Sequence, residues 1–129
     1  MLKLNYFDQD GKEKTITKVS HGIKDMKRTL NYSKNIAAIY DNDEMSVDIG
    51  EGNRIKTPAF MLKELEFASN YLLEIFAENG LTQEILDDEI GVSFNALFDS
   101  VNSIQRQIMG GEENDDEKKQ AETTLLTKP

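Results

Sequence analysis

The chain has no cysteine, a single histidine and two prolines. It also has no apolar run approaching the roughly 20 residues that a membrane-spanning helix needs. Without thiols there is no disulfide framework and no thiolate metal site, and the redox compartment is left open. The lone histidine, His21, sits beside Gly22 at a strand-to-helix junction and reads as a surface or capping residue rather than a catalytic base. Positive charge is scarce: 15 Lys and Arg face 24 Asp and Glu, a formal net charge of −9. A phosphate backbone would repel such a chain, so nucleic-acid binding through a basic face is not expected, whereas an acidic mimic of nucleic acid remains compatible. Near the N-terminus Leu2, Leu4, Tyr6 and Phe7 are interrupted by Lys3, Asn5 and Asp8, which is not the pattern of a secretory leader. These absences lead us to expect a soluble protein that is made where it works. Its 129 residues suffice for one domain and a tail.

What is present is helical periodicity, concentrated between Pro58 and Gly110. Met61, Leu65, Ala68, Leu72 and Ile75 recur at steps of four and three, as do Leu97, Val101, Ile104 and Ile108. Each set stacks into one stripe, and two stripes can bury each other. Thr57-Pro58 is a helix start, with a side-chain cap followed by a residue that lacks an N–H where none is needed. That helix is expected to reach about Glu78, where Asn79-Gly80 supplies a left-handed cap. Thr82 opens a short helix carrying Ile85, Leu86 and Ile90 and closed by Gly91. Ser93 opens the last, which Gly110 ends.

Upstream, Leu2, Leu4 and Tyr6 alternate with polar residues, Asp10-Gly11 is a turn pair, and Thr15 to Val19 are rich in β-branched residues. An N-terminal β-hairpin over residues 1–20 follows, and its apolar face must pack on the helices because a lone hairpin is marginal. Ile23, Met26 and Leu30 then recur at helical spacing. Whether one helix continues through Ile36, Ile39 and Tyr40, or Ser33 caps a fresh one, is open at this level. Residues 41–56 alternate Met45, Val47 and Ile49 among turn formers, fitting either a short strand or hairpin arm or a mobile loop. The fold expected is mainly α, a small bundle of three to five helices over residues 1–110, with the N-terminal β-hairpin and the variable segment 41–56. Residues 111–129 are acidic and nearly devoid of apolar side chains, so a disordered tail is expected.

Charge is uneven. Residues 1–34 hold eight basic and four acidic side chains, a net of +4, while 35–110 come to −10 and 111–129 to −3. Solvated faces of different sign account for this; the sharper reading is a dipolar module that associates head to tail, making a homo-oligomer possible.

No constellation here points to catalysis, and no cofactor is expected. Asp87, Asp88 and Glu89 occupy consecutive helical positions that point apart and cannot converge on one ion. Asp41, Asp43 and Asp48 resemble a calcium loop only superficially, because Ser46 and Gly52 stand where such a loop needs glycine and glutamate. Gly50-Glu51-Gly52 is not followed by the Lys-Ser or Lys-Thr of a phosphate loop. We therefore expect neither a catalytic nor a metal site. The surplus apolar residues of the Pro58 helix and the final helix remain. Phe67, Tyr71, Leu72, Phe76, Phe98 and Val101 are candidates for contacting a partner, provided that the hairpin leaves them uncovered; core is their first role.

The order of features resembles a family. A hairpin turning at Gly11-Lys12-Glu13-Lys14 leads into the basic helix Ile23-Lys24-Asp25-Met26-Lys27-Arg28. Phe67 to Phe76, with Glu74-Ile75-Phe76, and Leu81-Thr82 follow, and Val101 to Gly110 precede an acidic tail. This is similar to the small tail assembly chaperones of long-tailed, siphovirus-type bacteriophages of Gram-positive hosts. Asn79-Gly80 stands in place of the family's usual run before the threonine, and Gly91-Val92 in place of Gly-Leu. The resemblance implies binding of the tape measure protein, keeping it soluble, and help in recruiting tail tube protein. It further implies action in the host cytoplasm, absence from the mature virion, and a frameshifted longer version joined through the tail, with Lys118-Lys119 a place for a slippery codon run. Two other classes fit the composition: an acidic inhibitor of a host protein, and a structural head–tail subunit.

Overall fold

The computed structural model describes residues 1–41, 46–50 and 53–110. The elements in order are β1 (Leu2–Phe7), β2 (Glu13–Lys18), α1 (Ile23–Tyr40), β3 (Ser46–Gly50), β4 (Asn53–Lys56), α2 (Pro58–Phe76), α3 (Gln83–Ile85) and α4 (Phe94–Ile108). A π-helical turn, Leu86–Ile90, continues α3. The fold is mainly helical with an N-terminal antiparallel hairpin, as the residue pattern predicts. The acidic tail, 111–129, lies outside the described residues.

In the hairpin Leu4 faces Ile16 and Phe7 faces Glu13. The turn is held by the Asp8 carboxylate, which accepts from the backbone N–H groups of Asp10 and Lys12, each at 2.9 Å. Gly11 closes it with φ of 83°, a conformation that glycine adopts without a steric cost. Alternation sends Leu2, Leu4 and Ile16 inward, where they are buried. Gln107 of α4 fastens the hairpin's edge to the bundle. Its Oε1 accepts from the Lys3 N–H at 2.9 Å and its Nε2 donates to the Lys3 carbonyl at 3.1 Å. A side-chain amide thus does for one residue what a third strand would do.

One continuous helix, α1, resolves the open choice over residues 23–40: Ser33 does not start a new one. The segment after it is a second antiparallel hairpin, β3 with β4, irregular between Asp48 and Gly50. Residues 42–45 and 51–52, including Asp43 and Met45, lie outside the described residues.

Helix α2 begins where Thr57-Pro58 places it, with Thr57 Oγ1 accepting from the Phe60 N–H at 3.2 Å. It ends at Phe76, two residues short of the expected Glu78, and Gly80 takes φ of 102° beyond it. The buried line differs from the expected stripe at its start. Phe60 is 1 % exposed, whereas Met61 is 41 % exposed. The larger ring is the one drawn in, and it meets Tyr40 edge-on with ring centroids 4.8 Å apart.

Thr82 caps α3 through its hydroxyl, which accepts from the Ile85 N–H at 3.1 Å. The π-helical turn closes with the Gly91 N–H donating to the Leu86 carbonyl at 2.7 Å. A Cβ on Gly91 would stand 2.8 Å from that oxygen, so the close approach requires glycine. Ser93 caps α4 in the same way as Thr82 does α3, accepting from the Ala96 N–H at 3.0 Å. The core is the meeting of the hairpin's inner face with Leu72, Ile75 and Phe76 of α2, Leu86 and Ile90, and the whole α4 stripe of Leu97, Val101, Ile104 and Ile108.

Candidate functional site

The six candidate contact residues divide. Tyr71, Leu72, Phe76 and Val101 are at most 2 % exposed and belong to the core. The hairpin, α1 and α4 cover the faces of α2 on which Tyr71, Leu72 and Phe76 lie, so these four offer no surface to a partner in this conformation. Phe67 and Phe98 are half-buried at the core's edge. Phe98 rests against Phe94 with centroids 4.7 Å apart. Phe67 lines a groove of about 310 Å³ between α1 and α2, otherwise walled by polar groups including Asn31, Asn35, Asn70 and Glu74. The structure therefore does not assemble the six into one face.

The α1–α2 interface is unexpectedly polar. Asp25, on the inner face of α1, is buried, with one carboxylate oxygen 2.8 Å from Lys18 Nζ and the other 2.8 Å from an Arg28 guanidinium nitrogen. Lys18 also donates to the Ile75 carbonyl at 3.0 Å. One turn on, the Thr29 hydroxyl donates to the Asp25 carbonyl at 2.9 Å and lies 2.7 Å from the Tyr71 hydroxyl. With Thr29's one proton so used, Tyr71 is the donor in that pair. Tyr32 stacks on Tyr71 with centroids 4.9 Å apart.

Burial works to raise the Asp25 pKa, but the hydrogen bonds and charges of Lys18 and Arg28 outweigh it and hold the carboxyl below the usual aspartate range. Burial pushes Tyr71 up to about 12, against the opposing hydrogen bond with Thr29. Tyr32 is likewise pushed up to about 12, by burial first and then by the charge of Glu64. Glu64, also buried, pairs with Lys56 at 3.2 Å. Every buried side-chain polar atom among the described residues has a partner. The bonds of this network run between β2, α1 and α2, so it fixes α1 on α2. Among the described residues no group of three or more His, Cys, Asp or Glu is placed to hold a metal ion, and no helix is long and apolar enough to cross a membrane. His21 is exposed.

Accessible apolar surface lies elsewhere. On α2 the outer face carries Leu62, 67 % exposed, with Met61 beside it, and Leu73 is half-buried further along. Ala59, Leu62, Lys63 and Glu66 border a shallow depression there. On α1 the residues that recur at helical spacing, Ile23, Met26 and Leu30, face solvent rather than the core. The sequence does carry the signal: Asp25, Thr29 and Tyr32 recur at the same spacing on the opposite face, and Lys18 lies upstream to neutralise the acid.

Comparison with known proteins adds no identity. No protein-family model matches the chain, and no curated protein or solved structure matches it significantly.

Proposed function

We propose that this protein is a bacteriophage tail assembly chaperone that binds the helical tape measure protein, keeps it soluble and helps bring tail tube subunits to it. On this reading it acts in the cytoplasm of the bacterial host and is absent from the finished virion. The observation that carries the proposal is the surplus apolar surface of α2. After Phe60, Tyr71, Leu72, Ile75 and Phe76 have gone into the core, Leu62 and Met61 still stand in solvent, and Phe67 and Leu73 are only half-buried. A long helical client that is not yet assembled exposes amphipathic faces, and a helix with spare apolar surface on a rigid core is a receptor for them. The net charge of −9 keeps a coated client soluble by mutual repulsion.

The test is co-expression with a phage tape measure protein. We expect the client to remain soluble and to co-purify, and Leu62→Asp to lower the co-purified amount several-fold while leaving the chaperone folded. Equal precipitation of the client with and without this chain would overturn the reading.

A further inference from the structure

The outward face of α1 is a ridge that the chaperone reading does not use. Ile23, Met26 and Leu30 are 69 %, 37 % and 56 % exposed. At 100° per residue they line one side of the solvent face, and Lys27, Lys34 and Lys24 line the other. These three lysines are exposed and, among the described residues, have no ion-pair partner. Asp25, the only acid of α1, is buried on the inner side, so no negative charge interrupts the ridge. Other described surfaces differ in sign. The groove beside the N-terminal hairpin is bordered by Asp8, Glu13, Glu89 and Asp99, and on the outer face of α2 Lys63 is paired with Glu66 at 3.4 Å.

Residues 111–129 carry the complementary chemistry in their sequence. Glu112, Glu113, Asp115, Asp116 and Glu117 form an acidic run with no base among them, and Leu125-Leu126 is an apolar pair beyond it. The segment leaves the fold close to where the ridge begins. Helix α4 stops at Ile108, and just before that Gln107 is bonded to the backbone of Lys3. Lys3 faces Thr17 across the hairpin, and the chain beyond Thr17 runs directly into Ile23 at the start of α1. At about 3.3 Å per extended residue, the stretch from Gly110 to Leu126 can reach roughly 50 Å, whereas the ridge from Ile23 to Lys34 rises only about 17 Å along the helix. The difference exceeds the helix diameter of about 10–12 Å, so the segment can pass around α1 and lie along its outer side.

We propose that the acidic tail folds back onto the α1 ridge of its own chain, its carboxylates against Lys24, Lys27 and Lys34 and its leucine pair against Ile23, Met26 and Leu30. Each side of the ridge then meets its chemical complement. A tethered segment is held at an effective concentration on the order of millimolar, so a contact too weak to form between separate molecules forms within one. The same acids are repelled by the groove beside the hairpin, and on the outer face of α2 the only lysine is already paired. A basic amphipathic helix face also suits an anionic lipid surface. The tail is favoured because it is tethered to the fold, whereas residues 35–110 carry a net charge of −10 that such a membrane would repel. Docking covers an apolar ridge and makes it conditional: whatever binds the outer side of α1 must displace the tail, at a cost that falls as ionic strength rises. The contact stands or falls without the chaperone reading, because no client takes part in it.

The test places a nitroxide on the tail of the full chain and reads its effect on α1 by nuclear magnetic resonance. There is no native cysteine, so Thr124→Cys gives a single attachment point beside Leu125. In a dilute, isotope-labelled sample at low salt, the nitroxide is expected to broaden the backbone amides between Ile23 and Lys34 selectively, and those of the hairpin turn and the outer face of α2 much less. Salt at about 1 M, where the screening length falls to about 3 Å, should relieve the broadening. Lys27→Glu with Lys34→Glu should abolish it, and adding Asp115→Lys, Asp116→Lys and Glu117→Lys to that variant should restore it. Thermal melts by circular dichroism confirm that each variant is folded. Wild-type α1 amides that are not selectively broadened overturn the proposal, as does broadening indifferent to salt or to the lysine variant, or broadening that does not return when the acids are reversed. Mixing nitroxide-bearing chains with isotope-labelled chains that carry no nitroxide separates contact within a chain from contact between copies; α1 broadening that persists in the mixture overturns the proposal in favour of a second copy. So does binding to phosphatidylglycerol vesicles through these lysines while the tail leaves α1 unbroadened, which assigns the ridge to a lipid surface.

Discussion

Helices α1 and α4 carry apolar residues at the same spacing and put them to opposite uses. In α4, Leu97, Val101, Ile104 and Ile108 are all at most 4 % exposed. In α1, Ile23, Met26 and Leu30 stand in water, and the buried face contains Asp25 and Thr29. The difference lies in what each helix meets. Helix α4 packs under the hairpin and beside α2, where the facing side chains are Leu2, Leu4, Leu72 and Phe76, so an apolar stripe is the complement. Helix α1 meets the ammonium of Lys18, which is 21 % exposed, and the buried hydroxyl of Tyr71, which would cost about 1–3 kcal/mol if left without a partner. Turning Asp25 and Thr29 inward satisfies both. Helical spacing identifies an amphipathic helix; the chemistry of the opposing surface decides which face is inside.

The largest effect that separates the two helices is a cavity in the α4 stripe. Ile104→Ala removes a fully buried side chain. It is expected to destabilise the protein by about 2–5 kcal/mol in urea unfolding, because the tightly packed core relaxes only partly around the hole. A value below about 1 kcal/mol would mean that the α4 stripe is no more committed to the interior than a surface position.

A smaller and pH-dependent effect tests the polar face of α1. Asp25→Asn removes the charge that Lys18 and Arg28 share, with side chains 21 % and 29 % exposed respectively. Those partners retain access to water, so the cost at neutral pH should be about 1–3 kcal/mol rather than the larger penalty of stranding a fully buried charge. The folded-state pKa of Asp25 is depressed, so its contribution is complete above the unfolded value of about 3.9 and is lost as pH falls through the folded value. The wild type should therefore lose stability on acidification below about pH 4, and Asp25→Asn should lose less over the same range. An identical acid limb in both proteins would show that the network does not hold α1.

The same contrast separates what is legible in the amino-acid sequence from what is not. The N-terminal hairpin, the Thr57, Thr82 and Ser93 caps and the α4 stripe are legible because each depends on local rules: alternation, capping oxygens and one helical period. The orientation of α1 is not legible from helical spacing alone: Asp25, Thr29 and Tyr32 mark a second face, but what selects it is Tyr71, 42 residues from Thr29 in sequence. The register of buried residues at the start of α2 differs by one position from the expected stripe for a similar reason. Phe60 has its partner in Tyr40, across the β3–β4 hairpin, and spacing within α2 cannot report that. As for the candidate site, the aromatic and aliphatic surplus of α2 is visible in composition. Which members stay accessible is not, because periodicity marks an apolar face without saying what covers it. Tyr71, Leu72, Phe76 and Val101 are core, while Leu62 and the α1 ridge carry the exposed surface.

The smallest expected change falls on that ridge. Leu30→Ala shortens a side chain that is 56 % exposed and places the best helix former in the middle of α1. Little burial is lost, so the stability of the isolated chain should stay within about 0.5 kcal/mol of the wild type. Urea unfolding at low and high salt makes this informative. If both proteins unfold alike at high salt, and the wild type gains stability over the variant only at low salt, then Leu30 is covered by the acidic tail, because a contact that favours the folded state adds stability where its charges are unscreened. A loss comparable to that of Ile104→Ala at both salt concentrations would instead place Leu30 inside the fold and reverse the orientation of α1 relative to α4.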